Sequence, residues 1–111
     1  MLFRSLTMKV ICLFNLKPGV KEDDYLHWAR TLDMPNVRSL ASVHAFSVNK
    51  VIRRLRSDET PPYAFIEIID ISSIEEYRAG AGSEEFQRVA SMFAQFADDP
   101  LFMLADSIES G

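Results

Sequence analysis

Glu67 has no obvious place in its surroundings. It lies inside Tyr63-Ala-Phe-Ile-Glu67-Ile-Ile-Asp-Ile71, on the side an alternating strand would share among Tyr63, Phe65 and Ile69. A carboxyl there is removed from water, which disfavours its charged form, raises its pKa and suits it to proton transfer near neutral pH. The same position also fits a structural carboxyl bonded to Tyr25, Trp28 or a backbone amide. Asp33 follows in Trp28-x-x-x-x-Asp33-x-Pro35. It fits a general acid or base at the mouth of a pocket, or a cap accepting a backbone N–H of a turn that starts near Pro35. His44 opens a β-compatible segment. An imidazole is a natural proton shuttle near neutrality, although a lone strand-end histidine is more often a surface or dimer-interface residue. The catalytic candidates are therefore Asp33, Glu67 and His44. Tyr25, Trp28, Tyr63 and Phe65 are candidate ligand contacts: either they pack the core, or Trp28 offers its face to a flat aromatic molecule.

Other chemistries lack their parts. No Walker loop, G-x-G-x-x-G, H-E-x-x-H or G-x-S-x-G occurs. The only histidines are His27 and His44, which excludes a histidine-rich metal site, and nothing supports a mixed one. No metal or other cofactor is expected. Haem would lack a clear axial ligand, because His27 points away from the apolar stripe of its helix and His44 is peripheral. The single cysteine, Cys12, rules out a disulfide framework and reads as a small core residue.

The elements that must hold these residues follow from periodicity. Lys9 to Leu16 is a β-rich run, apolar on both faces: Val10, Cys12, Phe14 and Leu16 against Ile11 and Leu13. Residues 21–32 predict a helix, with Tyr25, Trp28, Ala29 and Leu32 forming one stripe and Glu22, Asp23 and Asp24 in its first turn. Pro35 should end or re-set that helix, with a short turn over Asn36 to Leu40. Val43 to Ile52 and Tyr63 to Ile71 predict two more strands, separated by a polar, charged connection. Ser73 and Glu76 have the spacing of a capping box, starting a helix that should stop at Gly80. Ser83 caps a second helical stretch whose buried side carries Phe86, Val89, Ala90, Phe93 and Phe96 or Ala97. Asp98-Asp99-Pro100 should end it, and Leu101 to Ile108 reads as the last strand.

That order, βαββαβ, is the split-βαβ, ferredoxin-like arrangement: an α+β sandwich with helices on one face of a four-stranded antiparallel sheet. The other face, carrying Ile11, Leu13, Ile66 and Ile68 or the opposite set, is too apolar to stay wet. The economical solution is a homodimer packed sheet on sheet, which makes a dimeric α/β barrel. At 111 residues the chain suits one domain, with residues 1–7 an extension and 8–111 the domain. Sixteen acidic against twelve basic residues argue against a nucleic-acid partner. No apolar run reaches the ~18 residues of a membrane helix, and a cytoplasmic protein is the default expectation.

The segment Tyr25-Leu-His-Trp28-Ala-Arg-Thr-Leu-Asp33-Met-Pro35 resembles a signature of the dimeric α/β-barrel superfamily. Many members carry an aromatic, a Trp and then a His five residues on, followed by x-Pro; here Asp33 stands where that His would be. The continuation Asn36-Val-Arg-Ser-Leu40, the strand around Glu67 and the ending Phe96-Ala-Asp-Asp-Pro100-Leu-Phe-Met-Leu-Ala-Asp106 are similar to the REDY-like, HapK-type branch associated with prodigiosin biosynthesis. The resemblance implies a homodimer of ferredoxin-like subunits acting in pigment or antibiotic secondary metabolism on a small aromatic or pyrrole-like ligand. By position, Asp33 and Glu67 carry over as the functional pair. The implied activity is a cofactor-independent cyclase, dehydratase or isomerase. The alternative is a non-catalytic carrier or accessory protein working with other pathway enzymes. Fold likeness alone does not choose between them.

Overall fold

The computed structural model describes residues 8–109, so the expected extension over residues 1–7 lies outside the described residues. Four strands form one antiparallel sheet in the order β2-β3-β1-β4: β1 (Met8–Leu16), β2 (Val43–Lys50), β3 (Phe65–Ile71) and β4 (Ala97–Asp106). The two central strands, β1 and β3, are the ones the sequence marks as apolar on both faces. Between them run α1 (Glu22–Trp28), α2 (Met34–Arg38), α3 (Ile74–Ala81) and α4 (Glu84–Ala90). A short 3₁₀ turn over Ser91–Gln95 leads into β4.

Register assigns the faces. Cys12, Phe14, Phe65, Glu67, Ile69 and Ile71 are buried beneath the helices. Ile11 is paired with both Ile68 and Met103, and Leu13 with both Ile66 and Leu101, so these six share the opposite face. They are only partly covered: Leu101 and Met103 are each 42% exposed. On the helix side, Phe14 stacks on Phe65 and meets Tyr25 and Phe93 edge-on, and this aromatic cluster anchors α1 to the sheet.

Several boundaries differ from expectation for identifiable reasons. The strand expected from Tyr63 starts at Phe65, because Pro61 and Pro62 cannot donate to a ladder and keep the approach irregular. The strand expected to reach Ile52 ends at Lys50. The helix expected to stop at Gly80 continues to Ala81 and turns at Gly82. Ser73 and Ser83 accept the Glu76 and Phe86 backbone N–H groups as predicted, but the Glu76 carboxylate accepts from the Ser72 hydroxyl instead of reaching back to the cap. β4 begins at Ala97, earlier than Leu101, by bulging at Asp99, whose φ of 42° is left-handed.

The largest difference lies between α1 and α2. Pro35 does not end the helix. The chain passes from Glu22 to Arg38 through a π-helical turn over Ala29–Asp33, in which the Met34 N–H bonds back five residues to the Ala29 carbonyl. Proline lacks the N–H for an i−4 bond and clashes with that carbonyl. A wider turn just before it absorbs both problems.

Candidate functional site: a carboxyl-lined cavity

The π-turn decides which side chain faces the sheet. In a straight α-helix each residue advances about 100°, so positions four apart drift by about 40° per step. Tyr25, Ala29, Asp33 and Val37 are spaced by four, and all are buried. The turn with i−5 bonding takes up the drift and keeps them on one line. Leu32, expected in the stripe, is 44% exposed, and Asp33, 6% exposed, takes its place. The capping reading of Asp33 is overturned: its backbone is helical and its side chain makes no capping bond.

Asp33 and Glu67 line one cavity of about 100 Å³ between the helices and the sheet. Its remaining walls are apolar or aromatic, among them Phe46, Ile69, Phe86, Phe93 and Phe102, with Tyr77 as the third polar group. Glu67 projects from β3, flanked in register by Val48 on one side and Cys12 on the other. Its Oε2 accepts the Tyr25 hydroxyl at 2.5 Å. Both readings of Glu67 therefore meet at one residue: it is structurally bonded to Tyr25, and it also faces the cavity.

Burial raises the pKa of Glu67 to about 7; the Tyr25 hydrogen bond pulls the other way, and the Asp33 charge adds to the rise. Asp33 is raised to about 6 by burial alone. Tyr25 is pushed up by burial, by the Glu67 charge and by its bond to Glu67, and so it stays a phenol and donates. Because Tyr25 donates to Oε2, Oε1 is left to carry the acid proton. Burial thus lifts both carboxyls towards neutrality, where a carboxyl can give or take a proton.

The other candidates are placed differently. Phe65 is 2% exposed and stacks on Phe14, inside the core and away from the cavity lining. Trp28 is 6% exposed, with its ring stacked against Phe93 and Phe96. It supports the wall from behind and does not line the cavity. Tyr63 lies on the opposite sheet face, in an apolar groove with Leu13 and Ile66. His44 is exposed beside a bulge at the start of β2, and His27 is exposed on α1. Neither histidine lines the cavity. Among the described residues, no group of three His, Cys, Asp or Glu side chains could hold a metal ion.

Sequence reasoning missed Tyr77. Its signal was present: Ile74, Tyr77 and Ala81 fall at i, i+3 and i+7 behind the Ser73 cap, and all three pack on the cluster around Ile69 and Ile71.

Together these features define a ferredoxin-like α+β protein with a small carboxyl-lined cavity under its helices. A family model described as REDY-like protein HapK matches residues 8–108, and the chain belongs to that family. Crystal structures with the same fold include HapK from Hahella chejuensis, 21% identical, covering 94% of this chain and 95% of that one, with a TM-score of 0.72. An EthD-like protein from Ralstonia eutropha is 15% identical over 97% of both chains, with a TM-score of 0.74. A dimeric ferredoxin-like protein of unknown function from Thermobifida fusca is 14% identical over 95% of this chain and 94% of that one, with a TM-score of 0.68. No curated protein sequence matches the chain. Among the described residues, no helix is long and apolar enough to cross a membrane.

Proposed function

We propose that this protein is a cofactor-independent acid–base enzyme of prodigiosin-type secondary metabolism, catalysing a cyclisation, dehydration or isomerisation of a pyrrole-like or polyketide-like intermediate. The observation that carries the reading is the pairing of Asp33 and Glu67 on one largely apolar cavity. With pKa values raised to about 6 and about 7, Asp33 is mostly ionised and Glu67 about half protonated at pH 7. Asp33 takes a proton from carbon beside a carbonyl. Glu67 gives its Oε1 proton to the carbonyl oxygen, making an enol, or to a departing hydroxyl, which leaves as water. Each carboxyl ends in the state the other began in, so one external proton exchange resets the site. The apolar walls keep both pKa values near the working pH, where general catalysis is most effective.

The functional unit in this reading is a homodimer. Its support is the row Ile68, Ile11 and Met103 on the outer sheet face, continued by Ile66, Leu13 and Leu101. A partly exposed apolar sheet of this kind is a usual mark of a protein interface.

The test is to mix purified protein with pyrrole and bipyrrole pathway intermediates and follow them by mass spectrometry. A new product that disappears in Asp33→Asn or Glu67→Gln supports the enzyme. Turnover unchanged in both variants overturns the catalytic assignment. Saturable binding without product moves the protein to the carrier or accessory role, in which case the pathway's enzymes should be recovered with it in a pull-down.

A further inference from the structure

At about 100 Å³ the carboxyl cavity is small. Ligand sites for flat organic molecules run from about 300 Å³ upward, and a water in the liquid takes about 30 Å³. The cavity therefore has room for a few ligand atoms but not for a ring system. Any substrate that brings its reacting carbon to Asp33 and Glu67 leaves most of its body elsewhere.

The neighbouring surface can hold that body. Tyr77 and Phe102 line the cavity and also line an open groove of about 290 Å³ between α3 and β4. Val10, Ile74 and Leu104 make its apolar walls. Phe102 and Leu104 are on the helix side of β4, since they pair with Cys12 and Val10, yet they are 58% and 47% exposed. The helices cover β1 and β3 and stop short of this edge strand. The charged side chain in the groove is Arg78, exposed in the last turn of α3. Among the described residues, no carboxylate lies within ion-pairing distance of it. The combined site is thus polarised, with two carboxyls at the closed end and a guanidinium at the open end.

We infer that the groove over Phe102 and Leu104 is the main binding subsite, taking the flat apolar body of an anionic ligand whose acidic group pairs with Arg78 while its opposite end enters the Asp33–Glu67 cavity. The two carboxyls repel an anion and Arg78 attracts it, so charge alone sets which end goes in. A carboxylate, or an acidic enol conjugated to an aromatic system, meets the description; a neutral molecule of the same shape binds without a preferred direction. The orientation rests on the acid–base reading of the cavity, whereas binding in the groove is measured without turnover, so the two readings fail separately.

Two fluorescent probes of nearly equal shape test this inference: 8-anilinonaphthalene-1-sulfonate, which is anionic, and N-phenyl-1-naphthylamine, which is neutral. Both are titrated against the wild-type protein and the exposed-residue variants Arg78→Gln and Arg56→Gln. The expected result is saturable binding of both probes. Arg78→Gln should weaken the anionic probe about fivefold, the size of a partly exposed ion pair, and leave the neutral probe within about twofold. Arg56→Gln should change neither. Leu104→Asp should weaken both probes; an unchanged far-UV spectrum shows that this variant is folded, and the arginine pair carries the test if it is not. Equal effects of Arg78→Gln on the two probes, or an anionic affinity insensitive to Arg78, overturn the inference.

Discussion

Glu67 stands under two opposed demands. The sheet requires an apolar side chain at its position, and a carboxyl there costs free energy whenever it ionises. In the unfolded chain it ionises near 4.5, and in the native protein near 7. Between those values the native state holds a proton that the unfolded state has released. Stability therefore falls as pH rises from about 4.5 to about 7 and is level above, by roughly 3 kcal/mol in all for Glu67. Asp33 adds a similar fall between 3.8 and about 6. Calorimetry from pH 4 to 8 should show Tm decreasing over this range. Glu67→Gln should flatten the upper half of that slope and be more stable than wild type at pH 8, while losing turnover. A parallel slope in the variant would refute the assignment. Tyr25→Phe removes the hydrogen bond that pulls the Glu67 pKa down, so the Glu67 pKa should rise further; carbon-detected NMR titration of the glutamate carboxyls reads the direction. A fall would mean that Tyr25 does not stabilise the carboxylate.

At the scale of elements, the first helix shows how local rules combine. Tyr25, Trp28 and Ala29 were legible as a stripe, and Pro35 as a disturbance. Their joint consequence, a π-turn that buries Asp33 and turns Leu32 outward, was not, because a 3.6-residue period carried past Ala29 predicts the opposite. The clue lies in the spacing of four through Tyr25, Ala29, Asp33 and Val37, which no straight α-helix keeps on one face. Eight α-helical residues from Tyr25 to Asp33 advance about 800°, leaving the carboxyl about 80° off the buried line, whereas seven leave it about 20° off. Deleting Leu32 should therefore convert the π-turn to ordinary helix with Asp33 still inward, and circular dichroism should show the fold retained. Loss of folding would show that the wide turn is needed for more than register. The caps behave as their residue types dictate, and Ser83→Ala should lower stability by about 1 kcal/mol in chemical denaturation.

For the whole molecule, the proposed homodimer rests on the outer sheet face. Ile11, Ile68 and Met103 lie side by side across three strands. Ile11→Lys places a charge at the centre of that row without touching the helix-side core, so light scattering should change from dimer to monomer while the carboxyl cavity is kept. A wild-type monomer at micromolar concentration would remove the sheet-on-sheet interface.

The alternation and capping patterns by themselves determined the βαββαβ order, the two doubly apolar central strands, the inward Tyr25 and the misfit of Glu67. These are properties of contiguous residues, and backbone geometry translates them directly into faces. Tertiary structure alone decided the rest. Tyr63, in apparent register with Glu67, left its face because the two prolines before it broke the strand, and Trp28 and Phe65 went to packing because the aromatic cluster closed over them. Asp33 and Glu67, 34 positions apart in sequence, became neighbours on one cavity only because α1 and the π-turn that follows it pack over β3. The direction a side chain faces is a local matter, whereas the identity of the group opposite it depends on how the layers pack, and the acid–base chemistry proposed for this site requires both.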